Sequence, residues 1–509
     1  MEPLLLFYFT LSFLLTAILY YKLRFTGDNA PPTYPVIGCL IAFYKNRHRL
    51  LSWYTDLLSV STTQTVVIQR LGARRTVITA NPLNVEYMLK TNFINFPKGK
   101  PFTEILKDFL GFGIFNVDGE MWHAQRKLAS HQFTSRLLKE HVEITVKEAI
   151  KSKLFVLLDS FADDGVMVDL QEVLRRFGFD VVCKFVLGFD PLCLGGRGSF
   201  PGEVPILKAF DTAGMISARR GAIPISAVWK LKKLFEIGSE KVLKDSVNEI
   251  HEYIIELVHE RKKELMMDKC NKNQDLLSKM MNDGLSEELI RDMLISFIMA
   301  GRDTTSAAMT WLFYALSQNA DVERRLADEI QSKFNDEEVD SYKEMKYLQA
   351  CICETMRLYP PVSWDSKHAL HDDVLPDGTL VKAGDRVTYF PYGMGRMESI
   401  WGGDRLEFKP DRWFEHGHTP GVYGDILKDV SPYKYPVFHA GPRVCLGKGM
   451  ANAQMSYVVS SIMKRYEIKA VGSEEALYLP SLTAHMNGGF NVLIRRRWRS
   501  SDATCQDKI

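Results

Sequence analysis

Hydrophobic and polar positions alternate on two scales along this chain, helical and strand-like, but its first stretch shows no alternation at all. From Leu4 to Tyr21 no residue carries a charge, a run of 18. At about 1.5 Å per residue such a helix spans about 27 Å, close to the hydrocarbon thickness of a thin bilayer. Glu2 precedes the run, and Lys22 and Arg24 follow it. Cations just behind a first span hold the following chain on the cytosolic side. The pattern predicts a single-pass anchor over residues 1–25, in the endoplasmic reticulum membrane, with the body facing the cytosol. A cleaved leader would need a basic start and a small-x-small cleavage site, and neither is present. Pro31, Pro32 and Pro35 ahead of Gly38 predict a proline-rich hinge over residues 26–38, stiff and non-helical because proline fixes φ and lacks an N–H.

Beyond the hinge, helical periodicity dominates. It predicts helices over residues 137–158, 242–265, 287–318, 346–358 and 449–465. Strand-like runs are shorter and gather in two places, 65–77 near the start and 380–389 with 478–494 in the last quarter. Residues 267–284 are polar and poorly patterned, which predicts a loop. The expected fold is mainly α with a smaller β region (α+β).

The 287–318 segment stands out. Its middle is nearly all apolar, as in a helix buried through the centre of a protein. Yet Gly301, Arg302, Asp303, Thr304 and Thr305 lie halfway along it. Glycine in a helix interior costs about 1 kcal/mol relative to alanine, and a buried acid costs more unless paired. Costly residues in the middle of a core helix point to a site.

Phe438-His439-Ala440-Gly441-Pro442-Arg443-Val444-Cys445-Leu446-Gly447 is a loop by its glycines and proline, with a helical pattern directly behind it. Cys445 is thus expected at a helix N-terminus, with Arg443 two residues away. The dipole and the guanidinium there favour thiolate over thiol. A thiolate serves as metal ligand or as nucleophile, and His439 is the one nearby candidate base for the second role.

The same decapeptide resembles the haem-ligand loop of the cytochrome P-450 family, with every fixed position of Phe-x-x-Gly-x-Arg-x-Cys-x-Gly present. The resemblance implies the family's fold with an N-terminal transmembrane anchor and haem b as cofactor, its iron ligated axially by Cys445, whose electron donation favours O–O cleavage. It implies that Phe438 packs beside the macrocycle and that Arg443 reaches a propionate. Trp122 and Arg126, four apart on one helical face, are similar to the family's propionate-binding pair. Ala300-Gly301-Arg302-Asp303-Thr304-Thr305 resembles its oxygen-activation motif, with Asp303 and Thr304 as the catalytic proton-relay pair and Gly301 opening the helix locally. Glu354 and Arg357, with Pro410-Asp411-Arg412-Trp413 following, resemble its buried support for the cysteine loop. Glu354–Arg357 alone is weak evidence, because the same spacing recurs at Glu172/Arg175 and Glu288/Arg291.

Composition narrows the picture. The net charge of +2 leaves no electrostatic footprint for nucleic acid. Eight cysteines in 509 residues are too few and too irregular for a disulfide scaffold. A length prior of about 150 residues per domain suggests three domains. Motifs spread from Trp122 to Gly447 can serve one cofactor only within one body, so residues 39–509 are expected to form a single haem-binding monooxygenase domain. No flavin or nicotinamide fingerprint is present, which implies NADPH–cytochrome P-450 reductase as partner, with Lys127, Arg136, Lys139 and Lys448 as candidate docking cations.

Residues 113–119, 365–367, 375–378 and 392–397 resemble the plant omega-hydroxylase branch of that family. This implies a lipid-like small-molecule substrate: hydroxylation near the end of an aliphatic chain, of fatty acid or jasmonoyl-isoleucine type. The alternative is the side chain of a cholesterol-like sterol in steroid alkaloid or saponin biosynthesis. A hydroperoxide isomerase or dehydratase would dispense with the Asp303–Thr304 pair, and a haem-binding sensor would not turn over.

Overall fold

The computed structural model describes residues 31–497 except 35, 135, 136, 138, 139, 196–201, 224, 268–275, 336, 417–422 and 473–475, together with residues 8, 11–13, 15 and 16. The expected anchor therefore lies almost wholly outside the described residues. Among the described residues, no helix is long and apolar enough to cross a membrane. The described part of the hinge is non-helical but does not stand away from the body: Tyr34 and Gly38 exchange backbone hydrogen bonds, and the Cys39 N–H donates to the Gln69 carbonyl at 2.8 Å.

A 31-residue helix, Glu287–Ser317, runs through the middle. The Ser286 side chain caps it by accepting from the Leu289 N–H, and Glu287 and Glu288 complement its dipole. Against it packs Leu170–Leu187, capped by Asp169 and buried along most of its length. The two approach closely because glycine stands at the crossing on both sides. A Cβ on Gly301 would lie 2.5 Å from Val182 Cγ2, and one on Gly178 would lie 3.2 Å from the Arg302 carbonyl oxygen.

The four-stranded sheet is built from a hairpin, Thr65–Ile68 with Thr76–Thr79, where a single run over 65–77 was expected. Arg386–Tyr389 joins it in parallel and Asp365–His368 closes it in antiparallel register, Asp365 facing Tyr389. A second sheet joins Tyr466–Ala470, Asn491–Arg496 and Val168–Asp169. Helices outweigh strands, as the mainly α reading required. The 267–284 segment departs from its expectation, because Leu276–Asn282 is a helix. It buries Leu276, Leu277 and Met280, an apolar anchor obscured in the sequence by the polar run 271–275 ahead of it.

Candidate active site

The cysteine loop is a pair of single turns, Pro436–Phe438 and Gly441–Arg443, in front of the Lys448–Arg465 helix. Its closure is a backbone bond from the Cys445 N–H to the Phe438 carbonyl, 2.9 Å. Gly441 has φ +65°, and a Cβ there would meet the Leu89 carbonyl oxygen at 1.9 Å. Only glycine satisfies both the dihedral and the contact.

Cys445 keeps an exposed surface. The helix begins two residues later than expected, at Lys448 behind Gly447. Burial pushes the Cys445 thiol up, against the pull of the Gly447 and Lys448 N–H groups and of the Arg126 and Lys448 charges. The helix end and the nearby cations favour the thiolate, in the direction expected from the sequence, and desolvation opposes them. The guanidinium also differs. Arg443 turns away and donates to Asp118 Oδ1 at 2.7 Å and to the Val117 carbonyl at 2.9 Å, so the one acting on Cys445 is Arg126.

Trp122 is buried beside Ile114 and Val117, with Arg443 4.4 Å and Arg126 5.7 Å from its ring centroid. Arg126 thus lies beside the Trp122 indole, and Arg443 covers the same indole more closely. Arg126 also donates to the Val444 carbonyl at 2.8 Å. Phe438 is half-buried, with the Lys448 ammonium 5.9 Å from its ring centroid.

His439 does not serve Cys445. Its Nε2 lies 3.3 Å from both Asp365 Oδ2 and Lys367 Nζ, and burial with the Lys367 charge holds its pKa down. The nucleophile reading of Cys445 loses its base, and the metal-ligand reading stands.

Asp303 and Thr304 occupy the one open stretch of a buried helix: from Asp292 to Phe313, only Met299, Ala300, Gly301, Asp303 and Thr304 are not fully buried. The helix stays α-helical through Gly301, whose missing side chain is used for packing against Val182 rather than for a local opening. The Thr304 hydroxyl donates to the Ala300 carbonyl at 2.7 Å, the back-bonding usual for helical threonine; its lone pairs remain free to accept. Phe133 links the two halves of the site, lying against Gly447 and stacking on Phe297 one turn before Gly301.

Beneath the loop, Glu354 and Arg357 are both fully buried. Arg357 holds the Glu354 carboxylate bidentately at 2.7 and 2.9 Å, and Arg412, the Trp413 indole N–H and the Lys409 N–H complete it at 2.8–2.9 Å. Tyr435, edge-on to Trp413, donates to the Cys353 carbonyl at 2.8 Å and ties this core to the chain entering the loop. The Glu172–Arg175 pair of equal spacing is a 3.8 Å surface contact.

Sequence reasoning missed Lys98, Asp118 and His368. Asp118 accepts from the Lys98 and Gly99 N–H groups and pairs with Arg443. His368, at the end of the sheet's edge strand, contacts the Lys98 carbonyl with Nδ1 at 2.5 Å. No local signal marks them, since each is brought in over hundreds of residues or by a loop. Together they test the fit of haem. Burial drives the Lys98 ammonium down to about 8 and lowers the Arg443 and Arg126 guanidinium pKa values. His368 Nε2 and Arg443 Nε are buried without a hydrogen-bond partner. Of these two atoms only Arg443 Nε is a spare donor, because the His368 Nδ1–H donates to the Lys98 carbonyl and burial keeps the ring neutral. A cation-rich set with that spare donor beside an accessible cysteine suits a cofactor that carries carboxylates and a thiolate-seeking metal.

A family model described as Cytochrome P450 matches residues 29–484. The chain is 54% identical over 483 residues to Cytochrome P450 94B1 of Arabidopsis thaliana, covering 94% of this chain and 93% of that protein. It is 54% identical over 501 residues to Cytochrome P450 94B3 of the same plant, covering 97% and 98%. Against Cytochrome P450 94A1 of Vicia sativa it is 42% identical over 473 residues, covering 92% and 90%.

Proposed function

The chain belongs to the cytochrome P450 family, and from that premise we propose that it hydroxylates the terminal region of an aliphatic chain, of fatty acid or jasmonoyl-isoleucine type. As a member of that family it is a monooxygenase whose haem is held by a cysteine thiolate. The residue we assign to the thiolate is Cys445. Haem b supplies O–O cleavage and insertion of one oxygen atom into a C–H bond, with electrons from NADPH–cytochrome P-450 reductase.

This chain's own residues have separable tasks. Arg126 and Trp122 with Arg443 hold the carboxylate-bearing edge, aided by Lys98. Phe438 packs beside the ring. Asp303 carries protons from the solvent side to the cleft, and Thr304 gives up its bond to Ala300 to donate one there. The observation that carries the reading is that this acid–hydroxyl pair occupies the one open stretch of an otherwise buried helix. Lys127 and Lys448, both exposed, fit a docking face for the reductase on the Cys445 side; Arg136 lies outside the described residues, as does Lys139. Residues 1–25 anchor the enzyme as a single pass in the endoplasmic reticulum membrane, the domain facing the cytosol.

Expression with a plant reductase, followed by mass identification of products from a long-chain fatty acid, jasmonoyl-isoleucine and cholesterol in separate incubations, tests the assignment. A terminal alcohol from either of the first two supports it. Oxidation confined to the sterol side chain, or product from a hydroperoxide without NADPH, contradicts it.

A further inference from the structure

Arg302 and Asp303 are neighbours on the central helix, yet their side chains are committed differently. Arg302 is 1% exposed, and its guanidinium donates to Asp211 Oδ1, an oxygen that Arg175 also engages. Asp211 sits on the Pro205–Ala222 helix with 39% of its side chain exposed, so this cluster reaches from solvent to the core. Arg302 Nε lies 3.2 Å from Asp303 Oδ1, but neither atom makes a hydrogen bond. They meet as charges without alignment. The carboxylate on the cleft side is unclamped while the guanidinium beside it is bonded elsewhere.

An arginine this deep needs anions to stay charged. Burial opposes its charge, and Asp303 and Asp211 together outweigh burial. Were Asp211 neutral, that task would fall on Asp303, and the aligned two-point Arg–carboxylate bond is the strong geometry available to it. A carboxylate so clamped is a poor proton carrier.

We propose that Asp211 is a positioning residue for the oxidation: by engaging Arg302 from the neighbouring helix it keeps Arg302 off Asp303, leaving Asp303 free to move protons into the cleft. The proposal rests on the reading of Asp303 as proton carrier. Arg175, Glu172 and half-buried His485 are further charged and titratable groups around this cluster. The Pro205–Ala222 helix packs on Leu482 through Gly214, so a shift of that helix when the cleft fills would alter Arg302's bond to Asp211, and with it proton delivery.

The full-length enzyme with reductase and the substrate turned over in the assay above provides the test, with Asp211→Asn, Asp211→Glu and Asp303→Asn compared. Asp211→Asn lowers product formed per hydrogen peroxide released on the order of tenfold, a fraction of what general acid catalysis contributes, and Asp211→Glu restores it. In the resting enzyme, the infrared carboxylate band lost in Asp303→Asn shifts in Asp211→Asn. An unchanged ratio with an unshifted band in Asp211→Asn, while Asp303→Asn impairs the ratio, overturns the positioning role alone. An unimpaired Asp303→Asn enzyme overturns the proton-carrier reading, and this proposal with it.

Discussion

The Arg126 guanidinium donates to the carbonyl oxygen of Val444, the residue before Cys445, at 2.8 Å. This bond joins the Gly119–Ser130 helix to the cysteine loop across more than three hundred residues of chain, and the same charge pulls the Cys445 thiol down against burial. One side chain thus sets both the position of the loop and the electrostatics of its sulfur.

Arg126→Leu removes both effects. A hydrogen bond from a charged donor contributes about 1.5–3 kcal/mol, and the lower end applies to a half-exposed arginine. The expected result is a modest fall in melting temperature together with a large loss of haem during gel filtration. Full haem retention would show that Arg126 is not part of the cradle.

Glu354→Gln leaves Arg357 buried with its partner's charge gone. Breaking a buried pair by removing one partner costs about 3–5 kcal/mol. Soluble yield and urea midpoint are expected to collapse, while the reversed loss at the exposed Glu86–Lys90 pair, by Lys90→Ala, leaves both unchanged.

Gly301→Ala places a methyl group 2.5 Å from Val182 Cγ2. Overpacking of this kind costs about 1–3 kcal/mol. The double variant with Val182→Ala is expected to recover most of the loss, a coupling that chemical denaturation measures as a double-mutant cycle. If Gly301 served local helix opening instead, shortening Val182 would give no recovery.

His141 provides a pH signature. It is 3% exposed, neither ring nitrogen has a hydrogen-bond partner, and burial lowers its pKa to about 4. The unfolded chain takes up the proton near the ordinary value of about 6.5, and the folded chain does so only near 4. Stability is therefore intact above the unfolded value and falls as pH drops through that window, by about 1 kcal/mol between about pH 7 and 5.5. Burial also lowers His251 and His368 to about 4, so urea unfolding at those two pH values checks this by difference: His141→Leu is expected to reduce the pH dependence by that amount and to leave the rest.

The sequence pattern carried some elements further than others. Lys346–Leu358 forms over the residues its periodicity marks, and Glu287–Ser317 ends one residue short of its expected bound, because each has caps or a clear apolar face. Leu170–Leu187 and Pro205–Ala222 were missed. The first is buried nearly all round and so lacks a polar face to reveal its period; the second opens at a proline and mixes small and charged residues. Strands of two to four residues are too short for alternation to register. In the site, Trp122 with Arg126 and Asp303 with Thr304 were legible through the resemblance of their motifs to the family's. Lys98, Asp118 and His368 were not, because their roles exist only once the edge strand meets the loop at Lys98. The burial that opposes the Cys445 thiolate was hidden for the same reason: the helix dipole is local and readable, while burial is a property of the whole fold.

The most direct measurement is the optical spectrum of the reduced protein under carbon monoxide, for the native chain and for Cys445→Ala. A thiolate-type Soret band in the native protein, lost in Cys445→Ala, is the expected result. An imidazole-type band in the native protein, or a thiolate-type band that survives in Cys445→Ala, would contradict the assignment of the axial sulfur.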